Sequence, residues 1–144
     1  MSGLRSAVDA AASALAAERT RLEAAVSNLA NMESTRGPDG QPYRRRDVVL
    51  ESTPVGSFDA ALGQASGATG VRVARVVEDQ TAFRRRYEPS HPDADTEGYV
   101  ALPNVDPAEE MVDMVGAARA YQANLTAIGL IRDMVQRALE LGRS

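Results

Sequence analysis

The segment Asp106-Pro-Ala-Glu-Glu-Met-Val-Asp-Met114 predicts a long helix with a sharply defined start in the last third of the chain. Asp106 can cap the first turn, because its carboxylate can accept a backbone N–H there, and Pro107 suits the first helical position. Glu109, three residues after the cap, completes a capping box. Helix-forming residues then continue to about Leu141, which predicts roughly 50 Å of helix.

This helix carries apolar residues at a 4-3 spacing, which places one narrow apolar seam along it. Its candidate interface residues are Met111, Met114, Ala118, Tyr121, Asn124, Leu125, Ile128, Val135 and Leu139. The same spacing in the N-terminal segment selects Leu4, Val8, Ala11, Leu15, Leu22, Ala25, Leu29 and Met32. Two seams at opposite ends can meet only if the chain folds back on itself or joins other copies. We therefore expect a building block whose terminal helices pack as an antiparallel, coiled-coil-like pair.

Two glycines, Gly116 and Gly129, lie inside the second predicted helix. Each costs about 1 kcal/mol of helix stability relative to alanine. Close approach of another helix would explain them, and a neutral accident would explain them equally well.

Polar residues interrupt the end of the first predicted helix, which runs from Ser2 to about Glu33. Ser27, Asn28 and Asn31 can serve there as capping or fraying residues. Alternatively, they hydrogen-bond to the helix of a neighbouring subunit, where residues such as Tyr121 and Asn124 could meet them. We count all three, together with the apolar seam, as candidate interface residues.

The middle of the chain predicts a small β-rich insertion. The predicted strands are Val48–Leu50, Val71–Glu78, Phe83–Tyr87 and Tyr99–Leu102. We expect the second and third of these to form a hairpin through Glu78-Asp79-Gln80. Glycines make residues 52–70 a predicted mobile loop. The organisation is thus an N-terminal helix in 1–35, a β-rich insertion in 36–104 and a C-terminal helix in 105–144, which is a mainly α fold with a small β insertion.

The composition excludes several classes of protein and site. The 144 residues carry a net charge of -4, which favours neither nucleic acid nor an anionic membrane as a partner. There is no cysteine, so disulfides and thiolate metal sites are excluded. No apolar run approaches the length that spans a bilayer, and the N-terminal segment lacks the pattern of a cleaved secretory signal.

Candidate catalytic and metal-binding groups are few. His91 is the single histidine, and the helix serines have no histidine or lysine in helical reach. The run Asp93-Ala-Asp-Thr-Glu-Gly98 resembles the first half of a calcium-binding EF-hand loop, but its twelfth position is Asn104 rather than glutamate. We therefore expect a polar turn there, and we expect no enzymatic activity, no metal and no cofactor.

Two basic triplets, Arg44-Arg45-Arg46 and Arg84-Arg85-Arg86, lie in the predicted β-rich insertion. Successive strand residues alternate faces, so neither triplet presents three charges in one direction, which argues against nucleic-acid binding. We expect them to pair with carboxylates of adjacent subunits or to protect a strand edge. The candidate contacts of the insertion are Tyr43, Arg45, Arg85 and Tyr99.

Motifs near both ends of the chain resemble those of one protein family. The N-terminal motif is Ser27-Asn-Leu-Ala-Asn31 followed by Thr35, and the C-terminal motifs run from Tyr87-Glu-Pro-Ser-His-Pro to Ala118-Arg-Ala-Tyr-Gln-Ala-Asn124. They resemble the flagellar axial proteins, which are the rod, hook and hook-associated subunits, and among these the proximal-rod subunits. Leu29 departs from the family pattern, in which a second asparagine follows the first.

The resemblance implies a structural subunit that packs with copies of itself into a hollow rod. The terminal helices would form the inner wall, and the rod would cross the periplasm, transmit torque and pass later subunits through its channel. The implied partners are rod subunits of the FlgB and FlgF type, a basal rod adaptor of the FliE type and the flagellar type III export apparatus, which exports this family without a cleaved signal peptide. The residues alone leave one alternative open, an adaptor in which a helical hairpin binds one protein partner.

Overall fold

A computed structural model describes residues 2–54 and 69–142 of the chain. It contains two long helices, α1 (Ser2–Ala30) and α2 (Pro107–Leu141). The four described strands between them are β1 (Arg46–Pro54), β2 (Thr69–Glu78), β3 (Arg84–Tyr87) and β4 (Tyr99–Leu102). The predicted class, a mainly α fold with a small β insertion between two long helices, is confirmed.

The chain divides into two compact units, and each unit contains part of both helices. The first unit consists of Met1–Thr20, Leu50–Ala74 and Gly116–Ser144, and the second consists of Arg21–Val49 and Arg75–Val115. The beginning of α1 therefore shares a unit with the end of α2, and the end of α1 shares a unit with the beginning of α2. This is the antiparallel arrangement that the matching seams predict. The division of the sequence into 1–35, 36–104 and 105–144 stays a prediction.

The strands pair differently from the predicted hairpin. β1 pairs with β2, and β3 pairs with β4 in a second two-stranded sheet. In that sheet β3 and β4 are antiparallel, with Arg84 opposite Leu102 and Tyr87 opposite Tyr99. The prediction that the strand at Val71–Glu78 pairs with Phe83–Tyr87 is therefore wrong. The backbone N–H of Asp79 instead donates to the Arg45 carbonyl at 2.8 Å, which extends the β1–β2 pairing by one further bond.

The predicted mobile loop 52–70 falls mainly on residues 55–68, which lie outside the described residues. Its two ends belong to strands, because β1 continues to Pro54 and β2 begins at Thr69. No conclusion about the mobility of this loop follows.

The helix ends follow local sequence signals. The Ala108 backbone N–H donates to Asp106 Oδ1 at 2.8 Å, which confirms Asp106 as the N-cap of α2. α1 ends at Ala30, a few residues before the predicted Glu33, and a turn follows in which the Ser34 backbone N–H donates to the Asn31 carbonyl at 3.0 Å. Asparagine in this last turn competes with the helical backbone for hydrogen bonds, which explains the earlier end.

The two units have different interiors. In the second unit the buried apolar side chains include Val100, Leu102 and Val105, which lie in β4 and in the segment that leads into α2. In the described part of the first unit the buried apolar side chains are alanines, namely Ala11, Ala17 and Ala117. The second unit therefore has a small apolar core of its own, and this core lies beside the polar site described next.

Candidate functional site: a buried polar cluster and an exposed apolar face

The side-chain amide of Asn28, near the end of α1, is buried and fully hydrogen-bonded. Asn28 is 1% exposed. Its Oδ1 accepts hydrogen bonds from the Arg46 backbone N–H at 2.8 Å and from the Tyr43 hydroxyl at 2.9 Å. Its Nδ2 donates to the Arg46 carbonyl at 2.9 Å and to Glu110 Oε2 at 3.0 Å. A primary amide has two donor hydrogens and two acceptor lone pairs, so its hydrogen-bonding capacity is fully used and its orientation is fixed.

Glu110, at the beginning of α2, is the buried charge of the same site. It is 2% exposed, and its Oε1 accepts a hydrogen bond from Arg45 Nε at 2.6 Å. The Arg45 guanidinium also reaches Asp113, with 3.4 Å between Nη2 and Oδ2. Burial lowers the pKa of Arg45, but the hydrogen bond to Glu110 and the nearby carboxylates outweigh burial and raise that pKa above its usual value. The guanidinium thus stays charged and compensates the buried carboxylate, which would otherwise be strongly unfavourable.

Asn104, two residues before the N-cap of α2, binds the backbone at Arg45, next to the residue whose backbone Asn28 binds. Its Oδ1 accepts a hydrogen bond from the Arg45 backbone N–H at 2.9 Å. Its Nδ2 donates to the Asp79 carbonyl at 3.0 Å and to the Thr81 hydroxyl at 2.9 Å. The segment at residues 45–46 is therefore held by asparagine side chains from two distant parts of the chain. We call Asn28, Tyr43, Arg45, Asn104 and Glu110 the polar cluster.

A second polar arrangement lies on the β3–β4 sheet. The Arg85 guanidinium contacts Asp95 Oδ2 at 2.7 Å and stacks over the Tyr99 ring with 4.7 Å between its Cζ and the ring centroid. Tyr99 packs edge-to-face on the exposed ring of Tyr87, with 5.2 Å between the centroids. Asp95 Oδ1 accepts the backbone N–H groups of Glu97 and Tyr99, both at 2.9 Å. The hydrogen bond from the Tyr99 backbone is the main cause that lowers the pKa of Asp95, and the polar turn predicted at this loop is confirmed.

The outward side of α2 is apolar over much of its length. In the second unit, Met111 is 50% exposed, Val112 is 72% exposed and Val115 is 48% exposed. In the first unit, the exposed apolar residues of α2 are Leu125, Leu130, Met134, Leu139 and Leu141. We call all eight the outer stripe. Exposed large apolar side chains in this number on one helix indicate a helix that binds another protein or a membrane.

Two classes of site are absent from the described residues. Within residues 2–54 and 69–142, no helix is both long enough and apolar enough to cross a membrane. The same part of the chain contains no group of three or more metal-binding side chains.

Comparison with known proteins assigns the chain to a family. The family described as "Flagella basal body rod protein" matches residues 9–38, and the family described as "Flagellar basal body rod FlgEFG protein C-terminal" matches residues 96–141. The chain is 49% identical to the flagellar basal-body rod protein FlgC of Salmonella typhimurium, over 94% of this chain and 95% of the relative. The chain belongs to the FlgC family. FlgC of Bacillus subtilis is 43% identical over 94% of this chain and 96% of that protein, and FlgC of Borreliella burgdorferi is 40% identical over 96% and 97%.

Membership in the FlgC family confirms the resemblance to proximal-rod subunits that the motifs indicate. The chain is a structural subunit of the flagellar basal-body rod, and it is not an enzyme. In this FlgC-family chain the two matched regions contain most of α1 and all of α2, so both helices carry the family signature.

The candidate interface residues of α1 are buried or half-buried within the chain. The half-buried ones are Leu4, Val8, Leu15, Leu22, Ser27, Leu29 and Asn31. Asn28 is buried, and the Ser27 hydroxyl lies 3.2 Å from the Tyr43 hydroxyl. Asn31 Nδ2 donates to the Ser27 carbonyl at 2.8 Å. These polar side chains thus have hydrogen bonds inside this FlgC-family chain, and their assignment to a subunit interface stays a prediction.

The candidate interface residues of α2 separate into two sets. Met114, Tyr121, Asn124, Ile128 and Val135 are half-buried. Met111, Ala118, Leu125 and Leu139 are exposed. Glu110 and Ala117 are buried and Ile131 is half-buried, so the inward side of α2 contains them as well as the half-buried candidates. The inward face of α2 is therefore rotated relative to the face that apolar spacing selects.

The candidate contacts of the insertion belong to two sites. Tyr43 and Arg45 are members of the polar cluster, and Arg85 and Tyr99 lie together on the β3–β4 sheet. The pairing of Arg45 and Arg85 with carboxylates occurs within the chain in both cases. Whether they also contact adjacent subunits stays a prediction.

Sequence reasoning missed two residues of the polar cluster, Glu110 and Asn104. Glu110 has the local signal of a carboxylate in the first turn of a helix, which ordinarily faces solvent and stabilises the helix dipole. Asn104 lies inside a family motif, but nothing in its neighbourhood indicates a partner sixty residues away. Only the placement of Arg45 beside both of them gives these residues their role.

Proposed function

We propose that this chain polymerises, through α1 and α2, with copies of itself and with neighbouring rod subunits to form the proximal part of the flagellar rod. The rod acts as a drive shaft that crosses the periplasm, and its lumen serves as the channel through which later subunits are exported. The mechanism is mechanical: many weak helix contacts, repeated by symmetry, make a stiff shaft. The observation that carries this proposal is the outer stripe of α2.

The outer stripe requires a partner because α2 also has an inward apolar face. Tyr121, Ile128 and Val135 are half-buried on the inward side, while Leu130 and Met134 are each 60% exposed on the other. A helix on the surface of a monomeric protein normally has one apolar face and one polar face. Apolar residues on both sides are typical of a helix that becomes surrounded by other helices.

The two glycines of α2 support a close approach by another chain. A Cβ atom built on Gly116 or on Gly129 would meet no atom within 4 Å outside the helix's own backbone, so no contact among the described residues requires a glycine there. Each destabilises the helix by about 1 kcal/mol relative to alanine. A neighbouring helix that packs directly on the backbone would explain both positions.

The partners beyond the chain itself follow from family membership. We propose contacts with rod subunits of the FlgB and FlgF type, with a basal adaptor of the FliE type and, during export, with the flagellar type III export apparatus. The net charge of -4 and the mixed signs of the surface charges agree with protein partners rather than nucleic acid or an anionic membrane.

The test uses two exposed apolar residues of the outer stripe. A cell that lacks the native gene is complemented with the Leu130→Ser, Met134→Ser double variant. Its matched control replaces exposed polar residues of the same helix, Gln122→Ser with Gln136→Ser. We expect the stripe variant to be exported normally, as measured in periplasmic fractions, while swimming is lost and isolated basal bodies lack the rod. The control variant swims normally.

Normal swimming of the stripe variant would contradict assembly through this surface. The adaptor alternative predicts a different result: the purified chain would bind one partner at fixed stoichiometry, and basal bodies would contain no stacked copies of it. Quantification of the chain in isolated basal bodies distinguishes the two.

A further inference from the structure

The beginning of α2 buries a charge and exposes apolar residues. Glu110 is 2% exposed, whereas Met111, Val112 and Val115 are about half exposed or more. Burial of apolar area stabilises a fold, and burial of a carboxylate opposes it. A rotation of the helix by about half of the 100° between successive residues would place Met111 inward and Glu110 nearer to water, while Met114 and Tyr121 stay inward. Apolar burial alone would favour that rotated position, so other contacts must oppose it.

The polar cluster supplies those contacts. Both carboxylate oxygens of Glu110 are engaged, one by Arg45 Nε at 2.6 Å and the other by Asn28 Nδ2 at 3.0 Å. Asn28 cannot follow a moving Glu110, because its amide is also bonded to both backbone groups of Arg46. Rotation of α2 would therefore break the charge-assisted hydrogen bond of a buried pair, which is the strongest kind of hydrogen bond in this site.

Further along α2, in the first unit, the residues seven and fourteen positions after Glu110 are again more buried than the residues that follow them. Ala117 is buried and its neighbour Ala118 is exposed, and Asn124 is half-buried while Leu125 is exposed. Glu110, Ala117 and Asn124 are separated by seven residues each, which is the spacing of one helical face. At positions 110 and 124 the inward residue is less apolar than its outward neighbour, at 117 the two are equal, and at 131 the inward isoleucine is the more apolar.

We propose that the polar cluster is a rotational clamp: the Asn28–Glu110–Arg45 contacts fix the rotation of α2 about its own axis and thereby keep Met111, Val112 and Val115 available to a neighbouring subunit. Buried polar residues that select one register of a helix pair at the expense of apolar burial are known from coiled coils. The use of the exposed residues by a neighbour rests on the proposed function. The clamp itself does not, because it acts within one chain.

The test measures which face of α2 is exposed in the purified full-length chain. The chain has no cysteine, so a Met111→Cys substitution introduces a single thiol whose alkylation rate reports exposure. A Val112→Cys substitution is the matched control, because residue 112 stays exposed in both positions of the helix. Each probe is placed in three backgrounds: otherwise native, Arg45→Met, and Arg45→Met with Glu110→Met.

The clamp predicts a specific order of rates. In the Arg45→Met background Glu110 has lost its cation and turns to water, so alkylation at position 111 slows about tenfold while that at position 112 stays unchanged. Adding Glu110→Met restores the native rate at position 111, because an apolar residue can again occupy the inward place. Arg45→Lys, which keeps the charge, retains the native rate.

Two results would overturn the clamp. One is an unchanged rate at position 111 in an Arg45→Met chain that keeps its helical circular dichroism. The other is an unfolded Arg45→Met chain, with or without rescue by Glu110→Met, because the cluster would then determine stability and not rotation. Neither result bears on rod assembly, which the swimming and basal-body assays of the outer stripe test separately.

Discussion

The two compact units of the chain differ in the contacts that stabilise each of them internally. The second unit buries Val100, Leu102 and Val105 and connects its segments through the polar cluster. In the described part of the first unit the buried apolar residues are alanines, and the Val71 backbone N–H donates to Ser13 Oγ at 3.0 Å. The second unit thus contains its own stabilising contacts. The described buried apolar side chains of the first unit are all small, and five residues of the outer stripe are exposed there. We therefore expect contacts with neighbouring subunits to stabilise the first unit more than the second.

The largest expected effect concerns the second unit. Asn28→Ala removes four hydrogen bonds and leaves Glu110 and the Arg46 backbone with unmet partners, so we expect a loss of about 3 to 5 kcal/mol in the free energy of unfolding. Asn31→Ala is the matched control, since Asn31 Nδ2 bonds to the Ser27 carbonyl of its own helix turn. We expect the control to lose about 1 kcal/mol or less in urea unfolding. Equal losses in the two variants would show that the cluster does not stabilise the second unit.

The next effect concerns the resistance of the two units to protease. Trypsin cleaves after arginine, and the chain offers arginines in both units. We expect cleavage of the unassembled chain at Arg5 and Arg137, in the first unit, to be at least about tenfold faster than at Arg45, because cleavage requires local opening. The sites are assigned by mass spectrometry of the fragments over time. Cleavage at Arg45 as early as at the ends would remove the contrast between the units.

A smaller effect is expected for a glycine-to-alanine substitution in the first unit, which should raise the stability of the isolated chain but reduce its assembly. Gly116→Ala should stabilise the isolated chain by about 1 kcal/mol, because alanine favours helix and its Cβ would meet no described atom outside the backbone of α2. The same methyl group should reduce assembly if another helix packs on that backbone. Thermal unfolding measures the first quantity and swimming measures the second. A variant that is more stable and also swims normally would mean that no helix approaches Gly116 closely.

The smallest effect is the acid dependence of the second unit. The Thr81 backbone N–H is the main cause that lowers the pKa of Asp79, and the Tyr99 backbone N–H is the main cause that lowers the pKa of Asp95. In the unfolded chain both carboxyls titrate near about 3.9. Because their folded pKa values are lower, they add stability above that pH and lose it as the pH falls through the folded values.

The measurement for this acid effect compares melting temperatures at neutral pH and near pH 3. Asp95→Asn keeps an oxygen that can accept the backbone N–H groups, but it no longer titrates. We expect the variant to show a smaller loss in acid than the native chain. An identical loss in both would assign the acid effect to other carboxyl groups.

Local sequence signals were sufficient to predict the two helices, but they were insufficient to predict which strands pair with each other. The start of α2 was predictable because Asp106 and the Ala108 backbone N–H that it binds are neighbours in sequence. The partner of β3 was not, because Phe83–Tyr87 lies next to β2 in sequence while its true partner, Tyr99–Leu102, follows a loop closed by the Asp95 turn. Proximity along the chain favoured the wrong hairpin.

The candidate site shows the same limit. Apolar spacing selected Met114, Tyr121, Ile128 and Val135, which are half-buried, because these positions belong both to the predicted seam and to the observed inward side. It could not select Glu110, since burial of that carboxylate depends on Arg45 and Asn28, which are distant in sequence. Family membership was predictable from short motifs, and two of them, Ser27–Asn31 and Ala118–Asn124, lie within the residues that the family descriptions match.

The long sequence separations inside the polar cluster bear on when the chain can fold. Arg45 and Glu110 are 65 residues apart, and Asn28 and Glu110 are 82 apart. Contacts of such high separation form late and slowly, because a large loop must close first. A nascent chain cannot complete the cluster until residue 110 has left the ribosome, when more than three quarters of it has been synthesised. Until then the segment from α1 to β4 lacks the hydrogen bonds that Glu110 supplies to Asn28 and Arg45, so the ribosome releases this part of the chain before its buried charge pair can form.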